Sequence, residues 1–190
     1  MKKEKYQDME NDQKPDPEKE IPLKIAFIGN WNIGAKTCFI IRYVRGVFDN
    51  STIGTIGIVF YSKNVNVRGR NVKVDIWDTA GAEKFFALSL MYIRDAAGVV
   101  MGYDITNRDS FNAIRWRMME VKRAHFEGKK VFFMLIGNKA DLESDRQVSH
   151  EEGEELAREL DIPLFFESKQ TKLLCFEIFP SSFLFSFFYL

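Results

Sequence analysis

The sequence predicts an α/β fold, in which a doubly wound, mainly parallel sheet of six strands carries helices on both faces. Short apolar runs of strand length alternate along the chain with longer segments of helical periodicity, and that alternation is typical of a parallel sheet. Residues 97–103 and 131–136 are apolar throughout, as expected of central strands that are covered on both faces. In such a sheet, ligands bind at the C-terminal ends of the strands.

The first half of the chain supplies the first strands in order. Residues 23–29 form a short apolar run ended by glycine, and residues 36–43 follow with helical periodicity. Residues 59–67 and 70–77 alternate apolar and polar side chains on either side of a Gly-containing turn. This pattern predicts a β-hairpin.

The second half alternates helices with the remaining strands. Helical patterns cover residues 82–94, 109–126 and 150–160. The last of these begins with a capping box, in which Ser149 is the N-cap and a glutamate stands three residues later. Residues 164–167 read as the sixth strand.

Composition agrees with one globular domain and excludes several classes of protein. The chain has 190 residues, of which 46% are hydrophobic and 28% charged, so it can bury a core. Its 27 basic and 27 acidic side chains balance, which argues against a nucleic-acid-binding protein. Two cysteines are too few for a disulfide framework, and no apolar stretch typical of a secretory signal follows the N-terminal lysines. We therefore expect a cytoplasmic protein.

The chain divides into three parts. Residues 1–20 are almost entirely polar and are predicted to be a disordered extension, because they cannot bury enough apolar surface to offset their ordering entropy. Residues 21–171 form the predicted domain. Residues 172–190 hold six of the 18 phenylalanines, and Glu177 and Pro180 interrupt them. Three interpretations of this segment stay open: a truncated or misannotated gene end, such as translated intron; a strand or helix that replaces the last helix and covers the sheet; and a tail that dips into a membrane.

A loop with the character of a phosphate-binding loop follows the first strand. Residues 29–37 read Gly-Asn-Trp-Asn-Ile-Gly-Ala-Lys-Thr and lead into a helix. Backbone N–H groups of such a loop and the helix N-terminus bind phosphate, Lys36 would reach the outer phosphates, and Thr37 would hold Mg²⁺. The strict pattern has glycine directly before the lysine, whereas Ala35 stands there in this chain. Taken alone, the match does not separate a phosphate loop from an ordinary strand–turn–helix.

Two further motifs stand at strand ends. Residues 75–81 read Asp-Ile-Trp-Asp-Thr-Ala-Gly, so that Asp78 could hold Mg²⁺ through water and Gly81 could offer its N–H to a terminal phosphate. Residues 136–141 read Ile-Gly-Asn-Lys-Ala-Asp. Because a carboxylate at Asp141 can accept two hydrogen bonds from the edge of guanine, which adenine does not offer, this motif implies a guanine site.

With these motifs in order, the chain resembles the Ras superfamily of small GTPases, and within it the Rab family, from about residue 23 to residue 167. Residues 52–60 resemble the first switch and residues 77–85 the second, while residues 92–96 and 102–106 are Rab-like. The resemblance implies a P-loop G domain that binds GTP or GDP with Mg²⁺ and hydrolyses GTP. It also implies a molecular switch in vesicle-mediated transport.

The resemblance assigns roles to individual positions. Those implied to contact the phosphates are Gly29, Asn32, Ile33, Gly34, Ala35, Lys36, Thr37, Cys38, Thr55 and Gly81. Those implied to bind guanine are Phe48, which would stack on the base, with Asn138, Lys139, Asp141, Ser168 and Lys169. The implied Mg²⁺ ligands are Thr37, Thr55 and Asp78, the last behind a water. Effector and exchange-factor proteins would read a switch face that includes Ile56, Phe60, Trp77 and Tyr92; simple core packing is the alternative for its aromatic side chains.

The chain departs from the family pattern in four places. The phosphate loop is one residue longer, and a non-Gly residue forced into a Gly-type backbone costs roughly 1–3 kcal/mol. Ala82 stands where the family has the glutamine that orients the attacking water, so we expect hydrolysis to be slower by roughly 10²–10³. The last base-binding motif of the family reads close to Glu-Thr-Ser-Ala-Lys, and residues 166–171 of this chain keep only Glu167 and Ser168 of it. The C-terminal segment carries no prenylation cysteine, because Cys175 is not placed for one.

Three hypotheses follow. The first is a Rab-like guanine-nucleotide switch with a long-lived GTP state, which would be cytoplasmic or peripheral on endomembranes. The second is a pseudo-GTPase scaffold that binds nucleotide poorly and recognises partners through its switch face. The third is a truncated product without a stable fold.

Overall fold

The computed structural model describes residues 20–29, 35–47, 55, 57–67, 69–81, 86–125 and 130–168. The strands are β1 (Ile21–Ile28), β2 (Ile58–Val67), β3 (Arg70–Thr79), β4 (Gly98–Asp104), β5 (Phe132–Asn138) and β6 (Leu164–Ser168). The helices are α1 (Ala35–Arg45), α2 (Phe86–Ile93), α3 (Arg108–His125) and α4 (His150–Glu159), with a short 3₁₀ turn at Glu143–Asp145.

The strands form one sheet in the order β2-β3-β1-β4-β5-β6. Only β2 and β3 are antiparallel, through the predicted hairpin, and the other four pairings are parallel. The predicted fold class is therefore confirmed. Since neighbouring parallel strands end at the same edge, the sheet gathers the ends of β1, β3, β4, β5 and β6 along one rim.

Two apolar layers hold the sheet between its helices. One contains Ile28 of β1, Met101 of β4 and Leu135 of β5, with Phe86 of α2 and Ile114 of α3 packed among them. The other lies on the opposite face and includes side chains of α1. Strands β4 and β5 are buried along almost their whole length, as their continuous apolar runs predict.

Helix α4 begins where its sequence predicts. The Ser149 hydroxyl accepts a hydrogen bond from the Glu152 N–H at 3.2 Å, and the Glu152 carboxylate accepts one from the Ser149 N–H at 2.8 Å. This capping box satisfies two backbone donors that the helix itself cannot satisfy. It fixes the start of the helix that follows the predicted guanine loop.

No helix within the described part of the chain is long and apolar enough to cross a membrane.

Candidate functional site

The predicted site residues lie along the C-terminal rim of the sheet. Strand β1 ends at Ile28, and Gly29 follows with φ 143°, a backbone conformation that favours glycine. The chain then enters α1, whose first turn carries Lys36 and Thr37. Asp78 lies at the end of β3, the strand next to β1.

Three oxygen-bearing side chains converge at this point. The Thr37 hydroxyl donates a hydrogen bond to Asp78 Oδ2 at 2.6 Å, and the Thr55 hydroxyl donates to the same oxygen at 3.3 Å. The Thr37 and Thr55 hydroxyl oxygens are 2.8 Å apart. These residues come from α1, from the loop before β2 and from β3, so the fold brings together positions that are far apart in the sequence.

The Asp78 carboxylate is fully buried, yet it retains free acceptor capacity. Its Oδ1 atom accepts no hydrogen bond from the residues that the structure describes. Burial raises the pKa of Asp78, against the opposing effects of Lys36 and of the two threonine hydroxyls. A buried carboxylate oxygen of this kind is expected to have a cation nearby.

Lys36 supplies that positive charge in the structure. Its Nζ atom lies 3.6 Å from Asp78 Oδ1 and donates a hydrogen bond to the Thr79 carbonyl oxygen. The side chain is buried, and burial lowers the pKa of Lys36 to about 8, although the neighbouring carboxylate opposes that shift. A charged amine held in so little water would gain from an anion that enters the site.

The same residues fit a small divalent cation. Mg²⁺ prefers hard oxygen ligands such as carboxylates and hydroxyls, and the cluster offers Thr37, Thr55 and Asp78 at one point. The unsatisfied Asp78 oxygen adds acceptor capacity there. The donor set therefore suits Mg²⁺.

A backbone hydrogen bond connects the two predicted switch segments. The Ala80 N–H donates to the Gly57 carbonyl oxygen at 2.8 Å. Gly57 lies two residues after Thr55, and Ala80 lies two residues after Asp78. This hydrogen bond therefore joins the backbone that follows Thr55 to the backbone that follows Asp78.

The predicted guanine residues occupy the far end of the rim. Asn138 ends β5 and is buried, and its carbonyl oxygen accepts a hydrogen bond from the Ile105 N–H at 3.0 Å. The Ala140 N–H donates to the Ser168 carbonyl oxygen at 3.0 Å. Asp141 lies half-buried in the turn that follows. The structure therefore brings the predicted motif of residues 138–141 against the end of β6.

Sequence reasoning missed the role of Asp104. Lys139 has a left-handed backbone with φ 66°, and its Nζ atom lies 2.7 Å from Asp104 Oδ2. The other oxygen of Asp104 accepts hydrogen bonds from the Thr106 N–H at 2.9 Å and the Thr106 hydroxyl at 2.7 Å. Asp104 thus fixes the loop that carries the predicted guanine motif. The position of Asp104 at the end of an apolar strand indicated a site residue, but nothing in the sequence indicated that Lys139 would be its partner.

Arg146 joins the loop after the predicted guanine motif to β6. Its guanidinium binds Glu167 with contacts of 2.7 and 3.0 Å, and binds Glu143 with contacts of 2.8 and 2.9 Å. Paired planar contacts of this kind are among the stronger ion pairs in proteins. Glu167 directly precedes Ser168, so the pair restrains the end of the strand that faces Asn138.

The three aromatic side chains of the predicted switch face are in contact. The ring centroids of Phe60 and Trp77 are 5.3 Å apart, and those of Trp77 and Tyr92 are 5.4 Å apart. Phe60 is 50% exposed and Tyr92 is 37% exposed, so core packing alone does not account for them. Lys24 lies over the Trp77 ring at 5.0 Å. The trio forms a continuous aromatic surface.

Several predicted residues lie outside the described part of the chain. These are Asn32, Ile33, Gly34, Phe48, Ile56, Ala82 and Lys169, together with residues 1–19 and 172–190. Of the other predicted phosphate contacts, Cys38 is buried in α1 and Gly81 is half-buried after β3, while Ala35 is the first residue of α1.

Comparisons with known proteins agree with this geometry. A profile of the Ras family matches residues 24–182. The chain is 42% identical to the human Ras-related protein Rab-37 over 156 residues, which cover 82% of this chain and 69% of that protein. It is 39% identical to bovine Ras-related protein Rab-13 over 159 residues, 84% of this chain and 77% of that protein. It is 40% identical to mouse Ras-related protein Rab-26 over 155 residues, which cover 81% of this chain and 58% of that protein.

Proposed function

The chain belongs to the Ras family as a Rab-like small GTPase, and from this premise we propose that it is a guanine-nucleotide switch in intracellular vesicle trafficking. The observation that carries the proposal is the convergence of Thr37, Thr55 and Asp78 beside the buried Lys36. Oxygen ligands for a hard cation and a buried amine for phosphate stand at one point. That combination suits a Mg²⁺-bound nucleotide phosphate chain.

In this proposal the residues of the cluster divide the work. Thr37 and Thr55 would hold Mg²⁺ directly, with Asp78 behind a water, and Lys36 would bind the outer phosphates in place of its contact with Asp78. When bound, Mg²⁺ neutralises phosphate charge. The N-terminus of α1 adds backbone donors to the same phosphates.

The switch acts through the two segments that flank the cluster. Thr55 and Gly81 sense the terminal phosphate, and its loss releases both segments. The hydrogen bond between the Ala80 N–H and the Gly57 carbonyl oxygen supports this coupling, because it connects the two segments directly. Partner proteins then distinguish the two states by the order of the switch face.

Hydrolysis is expected to be slow because alanine has no group that can orient the attacking water. Single-turnover hydrolysis of bound GTP tests this expectation, with wild type compared with Ala82→Gln. We expect the variant to be faster by roughly 10²–10³. Equal rates in the two proteins would show that position 82 does not set the rate.

Guanine recognition rests on Asn138, Lys139 and Asp141, with Ser168, Lys169 and Phe48 completing the base site. The test exchanges hydrogen-bond polarity. Asp141→Asn offers an amide donor, so it should weaken GDP binding and improve binding of xanthosine diphosphate, whose ring carries an oxygen where guanine has an amino group. Unchanged preference for GDP would contradict the assigned role.

The aromatic trio is the proposed recognition surface for effector and exchange-factor proteins, with Ile56 beside it. Phe60 and Tyr92 are exposed while Trp77 is held between them, and exposed aromatic side chains are favoured anchors at interfaces. We place the protein in the cytoplasm or peripherally on endomembranes. Residues 21–171 are the proposed G domain, with residues 1–20 and 172–190 as extensions.

A pseudo-GTPase scaffold is the second candidate, because the phosphate loop has one residue more than the strict pattern. In that case the Lys36–Asp78 contact persists, and partners bind the aromatic face without nucleotide. A pull-down of partners by the GDP-loaded, GTP-loaded and nucleotide-free protein separates the two. Dependence on GTP supports the switch, and equal capture in all three states supports the scaffold.

A further inference from the structure

Arg146 lies five residues after Asp141, in the loop that follows the predicted guanine motif. Its side chain is 17% exposed and pairs with the Glu167 side chain, which is 16% exposed. The two contacts between the guanidinium and the carboxylate measure 2.7 and 3.0 Å. Because this ion pair is largely removed from water, the loss of either partner would leave the other charge poorly compensated.

Arg115 makes an ion pair of the same forked geometry at the surface. Its guanidinium contacts the Glu159 carboxylate at 2.9 and 2.6 Å, and both side chains are 46% exposed. Exposed ion pairs of this kind contribute little to stability. The burial of the pair between Arg146 and Glu167 therefore gives that pair more weight than its geometry alone would.

Two contacts tie the loop around Asp141 to the end of β6. Before Asp141, the Ala140 N–H donates a hydrogen bond to the Ser168 carbonyl oxygen at 3.0 Å. After Asp141, the Arg146 side chain binds Glu167, the residue directly before Ser168. The carboxylate that is predicted to recognise guanine therefore lies between two points at which the loop is fixed to the same strand end.

The backbone between these two points is itself held by short-range hydrogen bonds. The Leu142 N–H donates to the Lys139 carbonyl oxygen at 2.8 Å, and the Asp145 N–H donates to the Leu142 carbonyl oxygen at 3.0 Å. These contacts form a continuous hydrogen-bonded path from Arg146 back to the predicted guanine motif. A displacement of Arg146 can therefore reach Asp141 through the loop.

We propose that Arg146 is a positioning residue for guanine selectivity, which holds Glu167 at the end of β6 and thereby keeps the Asp141 carboxylate aligned with the base. This inference rests on the proposed function, in which Asp141 accepts hydrogen bonds from the guanine edge. A further ion-pair contact of Glu167 is with His150 at 3.6 Å, and the imidazole is charged only when protonated. Without Arg146, the Glu167 carboxylate should therefore turn toward water and displace Ser168.

The test measures discrimination between guanine and hypoxanthine, which lacks the exocyclic amino group that guanine carries. Affinities of the full chain for GDP and for inosine diphosphate are measured with Mg²⁺, by competition with a fluorescent GDP. Arg146→Met should lower the ratio of GDP affinity to inosine diphosphate affinity by about fivefold or more, as is usual for coupling between sites. Glu167→Gln removes the same ion pair from its other side and should lower the ratio in the same direction.

Two further variants make the test specific. Arg115→Met removes the exposed ion pair of matching geometry and should leave the ratio unchanged. The double variant of Arg146→Met and Glu167→Gln should lower the ratio no further than the stronger single variant, because both changes act through one contact.

The outcomes separate failure of the inference from failure of the proposed function. A folded wild-type protein that binds neither nucleotide, or binds both equally, would refute the proposed guanine recognition and the inference with it. If the wild type is selective and Arg146→Met weakens both nucleotides alike, Arg146 has only a structural role and the inference alone fails. Additive effects in the double variant would also overturn it. If Arg146→Met does not fold, Glu167→Gln decides, and an unchanged ratio in that variant would overturn the inference.

Discussion

Substitution of Asp104 by asparagine should destabilise the protein through the loop that carries the predicted guanine motif. Asp104 is 2% exposed, and Lys139, whose Nζ atom lies 2.7 Å from it, is 15% exposed. Asparagine keeps one oxygen that can accept the hydrogen bonds from Thr106. Its NH₂ group, however, is a donor and would face the Lys139 ammonium, which is also a donor. Removing one partner of a buried pair costs about 3–5 kcal/mol. Because Lys139 retains some access to water, we expect a loss of about 2–3 kcal/mol.

Urea unfolding of the wild type and Asp104→Asn measures this loss, which corresponds to a melting temperature lower by about 4–12 °C. A double-mutant cycle with Lys139→Met should give a coupling energy of about 1 kcal/mol or more. The exposed pair between Arg115 and Glu159 is the control, and Glu159→Gln should change stability by less than about 1 kcal/mol.

The reasoning would be refuted by a loss below about 0.5 kcal/mol for Asp104→Asn, or by additive effects in the cycle. Asp104→Asn should also weaken binding of a fluorescent GDP by about tenfold or more, as expected if part of the lost pairing energy is lost from binding. The reason is that Lys139 shares its loop with the other residues of the predicted guanine motif. Full stability loss with unchanged GDP affinity would separate the ion pair from the nucleotide site.

Three other predictions concern the core and the pH dependence of stability. Gly153→Ala should cost about 1–3 kcal/mol in thermal unfolding, because a Cβ atom there would overlap the Phe165 ring and the Tyr103 hydroxyl; unchanged stability would count against the packing described. Burial raises the pKa of Tyr43 to about 12 and also raises that of Tyr103. The unfolded chain therefore loses these protons first, and the free energy of unfolding should fall as pH rises above about 10, less steeply in Tyr43→Phe. Burial lowers the pKa of Lys36 from 10.5 to about 8. Between these two pH values the unfolded chain therefore binds more protons than the folded chain. Urea unfolding of nucleotide-free protein should show stability rising there, and a rise of equal size in Lys36→Met would contradict this.

The sequence predicted most of the sheet because continuous burial leaves an unmistakable pattern. Strands β4 and β5 begin within a residue of their predicted starts, since apolar runs covered on both faces have few alternatives. β1 starts at Ile21 rather than at residue 23, because Pro22 pairs with β3 while β4 joins only from Ile25. Pro22 therefore lies where β1 has no hydrogen-bonded partner in β4, and its missing N–H removes no hydrogen bond to that strand.

The sequence predicted some contacts among the candidate site residues and not others, for a physical reason. Asp78 lies at the end of β3 and Thr37 lies in the first turn of the helix that follows β1. Because neighbouring parallel strands bring their ends to one rim, the proximity of these two residues follows from topology. The pairing of Lys139 with Asp104 depends on a left-handed backbone at residue 139, which no local pattern indicates for lysine.

Binding of a fluorescent GDP to the full chain, with Mg²⁺ or with excess chelator, tests the central claim most directly. Thr37→Ala is the matched variant, because it removes one oxygen from the cluster. We expect the wild-type protein to bind GDP at least tenfold more weakly when Mg²⁺ is removed, and Thr37→Ala to bind weakly under both conditions. A folded protein that binds no nucleotide, or binds it equally with and without Mg²⁺, would contradict the account.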